Sequence, residues 1–191
     1  MKLLKDKILK EGRVKPGNIL KVDNFLNHKL DIAFLEEIGR EFKRRFSDVN
    51  INKILTIEAS GIAIASLTSP AFGFVPVVFA KKAKSQNLDG EVYTSKVTSY
   101  TYSKNFTVTV AKKFITPEDK ILIIDDFLAE GNALRGLIEI IEKSGAELTG
   151  IGIVIEKGFQ TGGKYIRDKG YRLESLAIID KMDENSITFR E

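Results

Sequence analysis

Apolar residues along the chain recur with two different periods, and the alternation between them predicts helices and strands in turn. Over 31–46, Ile32, Leu35, Ile38, Phe42 and Phe46 fall at helical spacing, and basic residues close the segment where a helix dipole favours them. A short apolar run at 53–58 predicts a strand, followed by Ser60-Gly61 and a helix-like stretch at 62–67. A second strand is expected at 75–80, with Pro76 near its start and Lys81-Lys82 after it, and a third at 120–124. The helix predicted at 133–144 carries Leu134, Leu137, Ile138 and Ile141 on one face and is closed by Gly145. Fourth and fifth strands follow at 148–155 and 172–179. Strands this apolar on both faces, alternating with helices, predict an α/β fold in which a mainly parallel twisted sheet is flanked by helices. Only 84–113 breaks the pattern. There Ser, Thr, Tyr, Lys and Asn alternate with few large apolar residues, which predicts an exposed hairpin or a long mobile loop of the kind that serves as a lid.

Composition narrows the chemistry. A chain of 191 residues predicts one domain, able to bury roughly 70% of its unfolded surface. Apolar residues make up 43% and charged residues 29%, which excludes a disordered or fibrous chain. The absence of cysteine removes disulfides, thiolate zinc sites and cysteine nucleophiles. The single histidine, His28, leaves no material for a Ser-His-Asp hydrolase or a multi-histidine metal site, and reads as structural. A net charge of +4 suits an anionic small ligand better than a nucleic-acid footprint. Residues 1–10 carry four lysines and no apolar core of a targeting signal. No run of about 20 apolar residues occurs, so the expectation is a cytoplasmic protein with neither membrane nor nucleic-acid partner.

The densest chemical signal is 121–133, Ile-Leu-Ile-Ile-Asp-Asp-Phe-Leu-Ala-Glu-Gly-Asn-Ala. A strand is expected to end in two adjacent carboxylates, Asp125 and Asp126, before a short glycine-bearing loop opens a helix. In open parallel sheets, ligands bind beyond the carboxyl ends of strands. Carboxylates there accept hydrogen bonds from sugar hydroxyls, and the free N–H groups of a helix start suit a phosphate. A second glycine motif, 158–164, satisfies G-x-x-x-x-G-K but is followed by Tyr165 instead of the Ser or Thr that would ligate Mg²⁺ in a nucleotide triphosphatase. The segment 166–170 also looks too short and charged for the helix such a motif requires.

The 121–133 stretch resembles the phosphoribosyl-pyrophosphate (PRPP) loop of type I phosphoribosyltransferases. The resemblance extends along nearly the whole chain through 20–23, 25–28, 56–61, 75–82, 150–157 and 170–175, and is closest to the xanthine-using members of that family. It implies the type I phosphoribosyltransferase fold as one domain over 1–191. A PRPP-binding core of about 31–156 would carry a small hood of about 1–30 and 157–191. It implies a homodimer that converts xanthine and PRPP to xanthosine monophosphate and pyrophosphate, with Mg²⁺ bound on PRPP. Carried over by position, Ala129, Glu130, Gly131, Asn132 and Ala133 would cradle the 5′-phosphate, with Asp125 and Asp126 at the ribose hydroxyls. Leu20, Asn27 and Lys157 match positions that contact xanthine. Glu58, Ala59, Ser60 and Gly61 match the loop that receives pyrophosphate, and Lys81, Lys82 and Lys84 cluster where they could face it.

Two departures stand out. Relatives that use hypoxanthine or guanine carry an aspartate at the position of Ala129, where it handles a ring proton; its absence fits xanthine bound already deprotonated. The common phosphate-loop threonines are replaced by Glu130 and Ala133, and Glu130 places a negative charge beside the expected phosphate, so its side chain must turn away or meet Mg²⁺ or a lysine. Hypoxanthine or guanine as the preferred base is the nearest alternative. A non-catalytic PRPP-sensing purine regulator is the alternative of a different class; it would need a DNA-binding domain ahead of a sheet that begins by about Lys53, and would leave Asn27 and Lys157 without a purpose.

Overall fold

The computed structural model describes residues 1–82, 90–99 and 104–191. In chain order they form α1 (Lys2–Glu11), β1 (Arg13–Lys15), β2 (Ile19–Lys21), a π-helical turn at Asp23–Asn27, α2 (Ile32–Arg45), β3 (Lys53–Ile57) and α3 (Ser60–Thr68). Then come β4 (Val77–Ala80), β5 (Val92–Ser99), β6 (Lys104–Ala111), β7 (Lys120–Leu128), α4 (Asn132–Ser144), β8 (Glu147–Lys157), α5 (Thr161–Asp168), β9 (Leu173–Met182) and β10 (Ile187–Phe189).

The central sheet has the order β10-β9-β8-β7-β3-β4, parallel except for the edge strand β10. One face is covered by α1, α2 and α3, with Phe25, Phe34, Ile38 and Phe42 packed on Leu122, Ile124 and Val154. On the other, α4, the β5–β6 hairpin and α5 bury Leu137, Ile141, Val97, Val108 and Ile166 against Ile121, Ile123 and Ile151. The α/β reading, its parallel sheet and its five expected strands therefore stand.

Chain order fixes where a ligand can enter. From β3 the chain runs outward to β4, then returns across the sheet to β7 and continues to β8 and β9. The order reverses between β3 and β7, and these strands pair only over Lys53↔Ile121 to Leu55↔Ile123. Beyond Ile123 the two part, opening the crevice in which doubly wound sheets bind ligands.

Several expectations need correction. The strand expected at 120–124 continues to Leu128, so Asp125 and Asp126 lie within β7 and not at its end. Its partner β8 runs on to Lys157 and pairs Asp125↔Ile153, Phe127↔Ile155 and Leu128↔Glu156. The strand expected at 75–80 begins at Val77, because Pro76 has no N–H; its carbonyl still accepts from the Ile54 amide at 2.9 Å. Within 84–113 the hairpin forms, but its described arms are docked rather than exposed. Val97, Val108 and Val110 are buried, Ser95 Oγ donates to Glu139 at 2.6 Å, and Lys143 Nζ donates to the Thr94 carbonyl at 2.7 Å. Lys84 and the rest of 83–89, and 100–103, lie outside the described residues. A helix, α5, starts inside the glycine motif at Thr161 despite the short charged sequence after it. Burial of Ile166 and the Arg167–Glu156 ion pair override weak local propensity.

Two glycines in β8 are sockets for α2: a Cβ on Gly150 would lie 2.4 Å from the Phe46 ring, and one on Gly152 would lie 2.7 Å from the Phe42 ring and 2.6 Å from Ile124. Both rings are fully buried. Gly152→Ala should therefore destabilise the protein by about 2 kcal/mol through overpacking, read as a lower urea midpoint at unchanged slope.

Candidate active site

β7 alternates its side chains between the two faces of the sheet, and the two carboxylates follow that alternation. Asp125 continues the row of Ile121 and Ile123; Asp126 continues that of Leu122 and Ile124. They are 8% and 9% exposed. The Asp126 amide donates to Asp125 Oδ1 at 3.0 Å, and the Phe127 amide donates to Asp126 Oδ1 at 2.9 Å. Asn27 Nδ2 reaches Asp126 Oδ2 at 3.5 Å. Burial pushes the Asp125 carboxyl well above the ordinary carboxylate range, the Asp126 charge pushes it further, and Lys82 pulls the other way.

Asp125 forms part of a cavity of about 460 Å³. One side is the stretch Leu128–Leu134, in which Gly131 adopts φ +80° directly before α4, a left-handed conformation that glycine takes without strain. The loop is held from behind by α5. The Gly162 amide donates to the Ala129 carbonyl at 3.0 Å, and a Cβ on Gly162 would lie 2.4 Å from that same oxygen. Gly17, Asn18, Ile19, Lys157 and Gln160 also line the cavity, and the hairpin adds Val97 and Phe106.

Lys157, the last residue of β8, is half-buried, and burial lowers its pKa. Its Nζ donates to the Asn18 carbonyl at 2.8 Å and stands 6.0 Å from the centre of the Phe127 ring. Asn18 sits at φ 59° in the turn after Pro16-Gly17, a left-handed position Asn tolerates, and this aims its carbonyl at the lysine. Just before Lys157, Glu156 is 1% exposed and accepts two hydrogen bonds from Arg167 at 2.7 Å each and one from Ser175 Oγ at 2.5 Å. Burial alone would raise its pKa, but Arg167 and Ser175 more than offset this and hold it below the usual value.

Of the residues singled out in the sequence, the fold gathers Asp125, Ala129, Glu130, Gly131, Asn132, Ala133, Lys157 and Lys82 around one cavity. Glu58, Ala59, Ser60 and Gly61 adjoin it: Glu58 Oε1 accepts from the Lys82 amide at 2.6 Å, and a Cβ on Gly61 would lie 3.0 Å from Asp125 Oδ1. Lys81 bridges by its backbone to Thr109. Leu20 is buried in the hydrophobic cluster beneath, and it is Asn18 and Ile19 that line the cavity in its place. Asn27 is exposed on its turn and contacts Asp126, and neither of the two is among the residues that line the cavity.

A phosphoribosyl transferase domain model matches residues 22–187. Over its full length the chain is 59% identical to xanthine phosphoribosyltransferase 1 of Clostridium perfringens, spanning all of that protein. It is 58% identical to the xanthine phosphoribosyltransferase of Lachnoclostridium phytofermentans, spanning 98% of it. The chain belongs to the xanthine phosphoribosyltransferases, within the phosphoribosyltransferase family. Among solved structures, the APRTase from Giardia lamblia complexed with 9-deazaadenine superposes with a TM-score of 0.77 at 26% identity, over 92% of this chain and 96% of that one. The adenine phosphoribosyltransferase of Saccharomyces cerevisiae gives 0.74 at 21% identity, over 92% and 99%, a likeness of fold alone.

In this xanthine phosphoribosyltransferase family member, sequence reasoning missed Asn18, Ile19, Phe127 and Gln160 as cavity residues. The Pro16-Gly17-Asn18 run carried a usable turn signal; Gln160 carried none.

The raised pKa of Asp125 has a definite sign for stability. The folded state favours the protonated acid, so stability falls as pH rises from the unfolded value of about 3.9 towards the folded one. Asp125→Asn removes the charge and keeps an acceptor for the Asp126 amide. It should raise the melting temperature at pH 7.5, flatten this pH dependence, and lower turnover at least about tenfold, or about 1.4 kcal/mol of transition-state stabilisation. Calorimetry across pH, paired with steady-state kinetics, checks both halves.

Proposed function

We propose that the chain transfers the phosphoribosyl group of PRPP to a ring nitrogen of xanthine, releasing pyrophosphate and forming xanthosine monophosphate for purine salvage. The observation that carries this reading is a single cavity lined by Lys157, Asp125 and the whole 129–133 loop. Full-length relatives named for xanthine support the choice of base.

Each part has a physical role. The N–H groups at the start of α4 and in the loop before it would receive the 5′-phosphate. Asp125 and Asp126 would accept hydrogen bonds from ribose hydroxyls. Glu58, Ala59, Ser60 and Gly61, with Lys81 and Lys82, would flank the departing pyrophosphate. The Lys157 ammonium would donate to a purine oxygen, and Asn27 offers both a donor and an acceptor to the base edge. Carbon–nitrogen bond formation at C1 of the ribose passes through an oxocarbenium-like state, so the protein acts by positioning and by stabilising the leaving group. Val97 and Phe106 of the hairpin would limit access of water.

Among the described residues no group of three or more His, Asp or Glu side chains comes together. Mg²⁺ therefore fits as the counter-ion of PRPP, drawing most of its ligands from phosphates and water with a carboxylate of the Asp125–Asp126 pair as the protein's contribution. When bound it would neutralise charge on the pyrophosphate. The same reading includes a division into a core of about 31–156 and a hood of about 1–30 and 157–191, and a cytoplasmic homodimer. No helix among the described residues is long and apolar enough to cross a membrane.

The experiment is an ultraviolet assay of xanthine, hypoxanthine, guanine and adenine, each with PRPP and Mg²⁺. Xanthine should be used at least about tenfold more efficiently than any other, the scale of one lost charge-assisted hydrogen bond; equal use of hypoxanthine or guanine would overturn the choice of base. Lys157→Ala should cut kcat/KM for xanthine about tenfold while leaving PRPP affinity in place. A fall in PRPP affinity with xanthine affinity intact would mean the two halves of the cavity are exchanged. With Ala129 in place of an acid, activity at low xanthine should rise with pH through the titration of xanthine itself. A profile that ignores that titration would rule out binding as the anion.

A further inference from the structure

Glu130 is the one carboxylate inside the proposed phosphate cradle, and the structure shows what it does with its charge. Its Oε2 accepts a hydrogen bond from Thr161 Oγ1 at 2.5 Å, across a sequence separation of 31 residues. Thr161 opens α5 and, unlike Glu130 and Gln160, is not among the residues that line the cavity, so this bond ties the carboxylate to α5. The neighbouring Gly162 binds the same loop through its amide. α5 is in turn pinned to the sheet by the two hydrogen bonds from Arg167 to buried Glu156, and Gly163 leaves room for this, since a Cβ there would lie 1.9 Å from Glu156 Oε1.

We propose that Thr161 is a positioning residue for PRPP binding: it latches Glu130 against α5 and so keeps a negative charge from turning into the phosphate cradle. The proposal rests on reading 129–133 as that cradle. The argument is electrostatic. A glutamate side chain on a loop has rotamers on both sides of the backbone, and a dianionic phosphate a few ångströms away repels it strongly in a partly desolvated cleft. A hydroxyl donor to an ionised acceptor makes a short, strong hydrogen bond, enough to bias the rotamer. Thr161 supplies that donor from an element anchored independently of the loop.

A merely structural role and an electrostatic one make different forecasts, which a double-mutant cycle separates. PRPP binding is measured by calorimetry with Mg²⁺ and no base, at low and high salt, for the wild type, Thr161→Val, Glu130→Gln and the double variant. With Glu130 in place, Thr161→Val should weaken PRPP binding about fivefold at low salt, the scale of one solvated charge–charge contact, and less at high salt. In the Glu130→Gln background the same substitution should change binding less than about twofold. Thr161→Ser keeps the donor and should restore affinity, and a melting curve confirms that each variant is folded. An equal loss in both backgrounds, a loss indifferent to salt, or no loss at all overturns the latch. The test does not depend on the base: a protein that binds PRPP but ignores xanthine refutes the base assignment and leaves the latch to be read. A wild type that does not bind PRPP refutes the cradle and the latch with it.

Discussion

A carboxylate kept almost out of water inside a parallel sheet is the constraint around which the rest of the molecule is arranged. Asp125 is held there because β7 stays paired with β8 to Leu128 while β3 leaves it after Ile123. One edge of the strand is thus sealed by hydrogen bonds and the other opens on a crevice. Burial without a matching cation is unfavourable for an ionised acid, and the pull of Lys82 on Asp125 is weaker than the effects of burial and of the Asp126 charge. The sheet tolerates the group because Ile121, Ile123 and the α4 leucines around it provide apolar burial in abundance. A carboxylate held this way in the sheet costs the folded state stability, as functional sites often do.

The second organising interaction is the buried pair of Glu156 and Arg167. It lies on neither wall of the cavity yet governs both. Glu156 immediately precedes Lys157, so the pair fixes the end of β8 from which the ammonium projects. Arg167 belongs to α5, whose first residues hold the Ala129–Glu130 loop. The β8 end that carries Lys157 and the 129–133 loop thereby share one anchor. Removing Arg167 alone would leave an unpaired carboxylate in the interior, a far more damaging change than removing both partners together.

Much of this was legible in the sequence. Five apolar strands separated by helical patterns identify the layered architecture, and Asp125-Asp126 after a buried run stand out because charge there is costly. The Ala129–Ala133 loop is legible because a glycine between a strand and a helix has few other uses. What was hidden depends on distant residues. Nothing near Glu130 shows that its carboxylate turns to Thr161. The glycines Gly162 and Gly163 argue locally against the helix they help to start, and are explained only by the carbonyl of Ala129 and the carboxylate of Glu156 that lie against them. The hairpin arms looked exposed because Thr and Ser alternate along them. Yet Val97 rests on Gly136 of α4, a contact that period-two reading of one segment cannot reveal.

The bond from Lys157 to the carbonyl of Asn18 joins positions 139 residues apart. Contacts of that span form late when a chain collapses, because the entropy of closing so large a loop must first be overcome by shorter-range structure. The 129–133 loop and the two aspartates, by contrast, belong to one continuous strand–turn–helix unit. On a ribosome, that unit would be complete while β8 was still being made, and the turn at Gly17 and Asn18 would wait for its lysine. The part of the cavity that joins Lys157 to Asn18 is therefore a product of the finished fold, whereas the 129–133 loop is built into a local segment.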